Sequence, residues 1–459
     1  MDNQFNIINQ AFKLSKQETT VEEAYQMVYP LFKQNELATT YHLTFAWIAY
    51  RRLKARYKQI GSVEARRMLA MFLSLQTERP SVLHSSLLYL AIAIKKEYAD
   101  FQFLKFLRMW GTENFREDDW MPFQGEKATV MSLAQKTIYQ AMSELKTSND
   151  PESLVIMSLL ISQAVRRYPQ TAEHHRQLGM ILAKQGLREE AINAYKKALL
   201  CENKFYFWSE LATLTNDLAL RKAALCMALY AQSKDDYVGA IHLQLAGMLI
   251  AEGDFQHALT DLNKVYATYS RQKWTIPAEY FRLMTAIPQG TQPARRDKAW
   301  LEQMAQPATD FLLDDLPVQV LFVENYFVSR KGQEMAALKS PEGNSIVIPK
   351  KKLKSKDPIE PGDFIKARIK TDESHKATLM GIAKASDKEI TTSFGKIITV
   401  EGTIQLKRNA AGKPFAFVKK CYVGAHLLKG LTDGQTVKVK AIQKEGRTTA
   451  ITSPFPLRQ

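Results

Sequence analysis

Apolar residues recur at three- and four-residue spacing through the first two thirds of the chain, most clearly in Tyr41 to Tyr57 and Ser85 to Trp110, and that period predicts amphipathic helices. Between His174 and Lys264 one pattern returns three times, 33 to 34 residues apart. The first copy runs Leu178, Gly179, Leu182, Gly186, Ala191, Tyr195 and Ala198. The second keeps Trp208, Leu211, Ala212, Ala224 and Ala231, and the third Leu245, Ala246, Leu249, Gly253, Ala258, Leu262 and Val265. A small residue beside the leucine of one helix, and an alanine early in the next, let two antiparallel helices approach closely. Residues 1–170 repeat less cleanly, but Val21 to Tyr57 and Ala128 to Tyr168 have the texture of further helical hairpins.

The pattern changes where Pro277, Pro288, Pro293, Pro307 and Pro317 punctuate a stretch that keeps one short helix near Ala299 to Gln303. Beyond it, residues alternate in short runs bounded by turn residues, which predicts strands. The candidates are Val318 to Val323, Gln333 to Lys339, Ser345 to Ile348, Asp363 to Lys370, Ala377 to Ala383, Gly395 to Leu406, Phe415 to Lys419, Tyr422 to Val423, Thr436 to Ile442 and Thr448 to Thr452. Ten short strands suit two five-stranded barrels. The expected fold is therefore multidomain α plus β: a divergent helical-repeat region over 1–170, repeats and a linker helix over 171–310, a first small barrel over 318–385 and a second over 393–455.

The triplicated helical pattern resembles the tetratricopeptide repeat (TPR). Its tryptophan position is held by His175, Trp208 and His242, and its terminal proline position by Asn203 and Asp236, so these copies are divergent. The resemblance implies a solenoid whose concave surface binds a protein partner; a spacer or dimerisation surface is the plainer use of the same helices.

Charge separates the two halves further. Of the formal net charge of +16, residues 318–459 carry +13, from 26 Lys+Arg against 13 Asp+Glu. That concentration points to a polyanionic partner for the last third, with a merely solvated lysine surface as the alternative. The strongest local signal there is Gly412-Lys413-Pro414-Phe415-Ala416-Phe417-Val418, followed by Cys421-Tyr422-Val423. In a strand Phe415 and Phe417 share one face. Flanked by Lys407, Arg408, Lys413, Lys419 and Lys420, and joined by Tyr422, they suit base stacking with phosphates held by ammonium groups.

These residues resemble a cold-shock-type OB domain, whose adjacent strands read Lys-Gly-Phe-Gly-Phe-Ile and Val-Phe-Val-His. Lys413, Phe415 and Phe417 match the first and Tyr422 the aromatic of the second, while Leu431 to Lys438 resembles the segment entering the fourth strand. The likeness covers roughly residues 395 to 453. It departs at Gly424, where the family has its binding histidine, at Leu406, where it has tryptophan, and at Pro414, which replaces glycine. What the resemblance implies is an OB/cold-shock-like barrel that binds single-stranded RNA or DNA; the alternative has the same barrel packing Phe415 and Phe417 against a neighbouring domain. Residues 318–385 follow the same order of parts without the aromatics on the platform strands. They carry Lys350, Lys351, Lys352, Lys354 and Lys356 after the third strand and Phe322, Tyr326 and Phe327 before the second, which suits backbone contact.

Taken together, helical repeats followed by two OB-like modules resemble the TPR and OB-fold proteins of bacterial conflict, or antiviral defence, systems of the TOTE type, an impression to which Asn114 to Asp118 contributes. Such a protein is an accessory beside separate effector enzymes. No P-loop, G-x-S-x-G, H-E-x-x-H or EF-hand loop occurs, so a non-enzymatic adaptor is expected, without cofactor, catalytic residue or metal site. Glu117-Asp118-Asp119 and Asp314-Asp315 read as solvated helix ends. Glu401 with Gln405 and Lys407 gives only a faint nuclease-like spacing, and a protein-only assembly scaffold is the stronger rival. The polar Met1 to Gln10 shows no signal sequence, the apolar run Leu87 to Ile94 is far shorter than the roughly 18 residues a membrane span needs, and three scattered cysteines fit a reducing compartment. The expected setting is cytoplasmic, away from membranes.

Overall fold

The computed structural model describes residues 2–126, 128–232, 234–353, 355, 357–371, 377–410, 412, 414–428, 430–444, 446–451 and 454–456. Two compact units compose it, Met1–Ala305 and Gln306–Gln459, and the boundary falls within the helix Lys298–Leu313.

In the first unit the triplicated pattern forms three helix pairs: Ala172–Lys184 with Arg188–Cys201, Phe205–Leu214 with Leu218–Ala231, and Gly239–Ala251 with Phe255–Gln272. The close approach that the small residues announce is real. A Cβ on Gly179 would stand 2.8 Å from the Tyr195 ring, so the first pair can close only on glycine. Gly186 and Gly253 turn the first and third pairs with φ of +79° and +81°, a conformation that glycine adopts at least cost. Asp217 and Asp254 cap the following helices by accepting from backbone N–H groups, which satisfies donors the helix leaves unpaired. The alanines and leucines of the pattern are buried except Leu178 and Leu182, which are half-buried, and Ala231, which is exposed at its helix end.

Upstream, Val21–Lys33 packs with His42–Arg56, and Leu133–Leu145 with Pro151–Arg167, as the two further hairpins require. The long helix expected over Ser85 to Trp110 is instead two, Val82–Glu97 and Phe103–Trp110. The break is held by partners distant in sequence. Lys95 Nζ donates to the Ala99 and Phe101 carbonyls at 2.8 and 2.7 Å, and the Glu144 carboxylate accepts from Phe103 N and Leu104 N at 3.0 and 2.9 Å. Lys95 and Glu144 also pair at 2.7 Å. Asn114 to Asp119 forms a packed knot: Phe115 lies between Trp110 and Trp120, Asp119 accepts from Ser85 Oγ and Arg116 N, and Glu117 pairs with Arg167. The acidic cluster is thus used structurally. A short hairpin, β1 (Phe123–Gln124) with β2 (Thr129–Val130), follows it.

The second unit holds β3 (Val318–Val328), β4 (Glu334–Lys339), β5 (Ser345–Pro349), β6 (Phe364–Thr371), β7 (Ala377–Lys384), β8 (Lys396–Arg408), β9 (Pro414–Val418), β10 (Cys421–Val423), β11 (Thr436–Lys444), β12 (Arg447–Ala450) and β13 (Phe455–Pro456). The first sheet runs β5-β4-β3-β6-β7. The second runs β12-β10-β9-β8-β11-β13, and β12 pairs back onto β11, so five strands close into a barrel. Counted within each sheet, the first five strands follow one order. Closure distinguishes them: the parallel pair β10–β12 seals the second, whereas among the described residues no pairing joins β5 to β7. Two five-stranded barrels were expected; among the described residues the second sheet closes and the first does not.

In both sheets the long first strand serves two neighbours. β3 pairs with β6 through Phe322 and with β4 from Phe322 onward, and β8 pairs with β11 up to Thr403 and with β9 from Ile404. Each sheet wraps its own apolar cluster, one containing Leu321, Val323, Leu338 and Ile365, the other Ile404, Val418, Val437 and Val439. The helix Asp387–Phe394 connects them, and a third cluster of Val320, Phe322, Phe364, Ile390 and Ile451 packs with Phe394, Ile397 and Ile442 where the sheets meet.

Candidate nucleic-acid interface

Alternation along β9 buries Ala416 and Val418 in the barrel core and turns Phe415 and Phe417 outward, each half-buried. Neighbouring strands complete the face. Phe415 is opposite Lys407 of β8, and Phe417 is opposite both Gln405 of β8 and Tyr422 of β10. The three rings form a closed triangle, with centroids 5.8 Å (Phe415–Phe417), 5.9 Å (Phe415–Tyr422) and 5.9 Å (Phe417–Tyr422) apart. Tyr422 keeps 41% of its surface exposed, and Lys407 Nζ stands 5.4 Å from the Phe417 centroid, within cation–π reach.

Of the residues singled out in the sequence, Lys407, Phe415, Phe417 and Tyr422 come together on this face. Arg408 is exposed at the end of β8, where it donates to the Gly412 carbonyl at 3.1 Å. Lys419 and Lys420 form the exposed β9–β10 turn, Lys419 with φ +55° and its stem beside Gly402. Lys413 and Lys354 lie outside the described residues, as does Lys356. Leu406, the position of the family's tryptophan, packs toward the barrel core.

The lysine run of the first sheet is separate from the rings. Lys350 to Lys352 form a 3-10 turn after β5; Lys351 and Lys352 are exposed, while Lys350 lies 4.6 Å from the Tyr326 centroid and 3.8 Å from the Glu334 carboxylate. The aromatics of this sheet do other work. Phe322 is buried where the sheets meet, Tyr326 donates to the Ile359 carbonyl with its hydroxyl pushed up by burial, and Phe327 is exposed on β3.

Glu401 pairs with Lys438 at 2.7 Å, and that ammonium holds its carboxyl below the usual range. Burial pushes the Cys226 thiol up to about 12 and that of Cys421 up to about 11, so neither is a thiolate near neutral pH. Among the described residues no group of three His, Cys, Asp or Glu could hold a metal, and no helix is long and apolar enough to cross a membrane.

One polar cluster escaped the sequence. Asp261, fully buried in the third repeat, receives His242 Nδ1 at 2.5 Å and an ion pair from Arg296, a buried residue of the proline-rich linker. An aspartate on the apolar face with Ala258, Leu262 and Val265 was the available signal. A buried carboxylate requires a partner. His174 and His175 are also both buried, because their helix is covered on more than one side.

Residues 176–308 match a family described as a domain of unknown function, DUF7017, a stretch that contains His242, Asp261 and Arg296. No curated protein matches the chain. Among solved structures it is similar to the crystal structure of BtubC (BKLC) from P. vanneervenii, at 16% identity and a TM-score of 0.21, covering 64% of this chain and 95% of that one.

Proposed function

We propose that the protein is a non-enzymatic adaptor that binds single-stranded nucleic acid on the outer face of its closed barrel and a protein segment on its helical repeats. The observation that carries the first half is the triangle of Phe415, Phe417 and Tyr422 with the Lys407 ammonium beside it. Stacked bases need exposed rings, and the backbone between them needs cations at the same level. The strand order of the barrel, closed by a parallel third–fifth pair, is that of an OB fold, which supports the same reading. The excess of positive charge in residues 318–459 supplies the non-specific attraction, through Lys351 and Lys352 as well as the ring face.

The second half rests on the three helix pairs, which expose a repeated surface as solenoids do. A role beside effector enzymes in bacterial defence follows from the TPR–OB resemblance alone. The deciding experiment is fluorescence anisotropy of the full chain with labelled single-stranded and duplex RNA and DNA at two salt concentrations. Single-strand binding that weakens steeply with salt is expected. Absence of binding at low salt overturns the nucleic-acid half and favours the protein-only scaffold.

A further inference from the structure

The ring triangle does not end at Tyr422. Tyr422 of β10 is in register with Thr449 of β12, and Thr449 with Ile442 of β11, so one row of outward positions runs Phe417, Tyr422, Thr449, Ile442 across four strands. With neighbouring strands about 4.8 Å apart, the row is roughly 14 Å long. That is about four nucleotides at the ~3.4 Å rise of a stacked strand. Its far end enters a cleft of about 430 Å³ between the two sheets, and Tyr422 lines that cleft as well as the ring triangle. The volume lies within the roughly 300–1,000 Å³ of small-molecule sites.

The cleft combines a flat apolar interior with cations at its rim. Phe322, Phe394 and Ile442 line it, and Gly424 adds no side chain on the Tyr422 side. Ser340, only 5% exposed, also lines it, and its hydroxyl helps to hold the nearby Glu342 carboxyl below its usual range. Lys339 is paired with Glu324 at 2.7 Å. Lys444 and Arg447 face each other directly across the β11–β12 hairpin, both exposed, and Lys444 also helps to hold down the Glu342 carboxyl. Like charges opposite one another on a sheet repel, and an anion between them relieves that cost.

We propose that this cleft is a second subsite for the same strand: it takes an unpaired base between Phe394 and Tyr422, with the adjoining phosphates on Lys444 and Arg447. This rests on the reading of the ring face as a single-strand platform and extends it to a defined path and minimum length. A base supplies the flat apolar body that the interior fits. The phosphates complement the paired cations. An apolar peptide would leave those cations unanswered.

The test uses the full chain with labelled oligothymidylate and oligouridylate of 2 and 12 nucleotides, comparing wild type with the Lys444→Gln, Arg447→Gln double variant, whose positions are exposed and outside the apolar clusters. The expected result is about tenfold weaker binding of the 12-mers and less than about twofold for the 2-mers, which the ring face alone accommodates. Photo-crosslinking of a 5-iodouridine 12-mer should label Phe394 in addition to Phe415, Phe417 or Tyr422. Equal losses at both lengths, or crosslinks confined to β9 and β10, overturn the cleft and leave the ring face standing. Failure of wild type to bind any of these oligonucleotides overturns both.

Discussion

The two sheets of the C-terminal unit share a strand order and differ in what their outer faces offer. On the closed barrel, three rings lie on adjacent positions of two neighbouring strands and remain accessible beside Lys407. On the open sheet the aromatics lie on β3 and β6, and three are consumed: Phe322 and Phe364 by the junction between the sheets and Tyr326 by a backbone carbonyl. Strand order alone does not bring accessible rings together. That takes outward alternation on two adjacent strands, which β9 and β10 provide.

The largest effect expected from breaking this contrast is on stability. Phe364 is 6% exposed and packs on Phe322 and Phe394 at 5.1 Å, so Phe364→Ala should cost about 3–5 kcal/mol, read by denaturant unfolding of the full chain. The matched change on the barrel, Phe415→Ala with Phe417→Ala, should instead leave unfolding nearly unchanged and weaken single-strand binding by about 1–3 kcal/mol per stacked base. A collapse of the fold in that double variant would reassign both rings to the core.

Smaller effects sharpen the same line. Removing Lys351 and Lys352 should weaken all single strands alike and flatten the salt dependence by roughly one counterion each, whereas Lys407→Ala should cost more for its size because it acts beside the ring. The smallest expected change concerns the connecting helix. The Glu389 carboxyl is held down to about 2 by the Ser386 backbone N–H, the Lys366 ammonium and the Ser386 hydroxyl. Because its folded pKa lies below its ordinary value near 4.5, its contribution is present above that value and is lost as pH falls toward 2. The melting temperature of wild type should therefore exceed that of Glu389→Gln at pH 6, and the gap should narrow steadily as pH falls from about 4.5 toward 2.

The strands and the three repeat pairs were legible because each has a local period: two for β8 and β9, and 33 to 34 for the helices. The ring face was legible for the same reason, since alternation alone places Phe415 and Phe417 together. What stayed hidden depends on partners far along the chain. The break before Phe103 is held by Glu144 some 40 residues away, and the Arg296 side chain of the linker is buried against Asp261 of a helix 35 residues earlier. The lysine run after β5 gave no hint that Lys350 would turn back onto Tyr326. Nor could the sequence say which sheet would close, because closure depends on whether the third and fifth strands meet in register.

That closure has a further consequence. A ring of strands presents no row of unpaired N–H and C=O groups, and β13 lies against the part of β11 that β12 leaves open, so the barrel offers little to a foreign strand. The open sheet is different: β5 and β7 are its outer members. Pro349 ends β5 and three lysines follow it at once, the kind of residues that keep an outer strand from recruiting another chain. The lysines would thus guard against self-association, whatever else they hold.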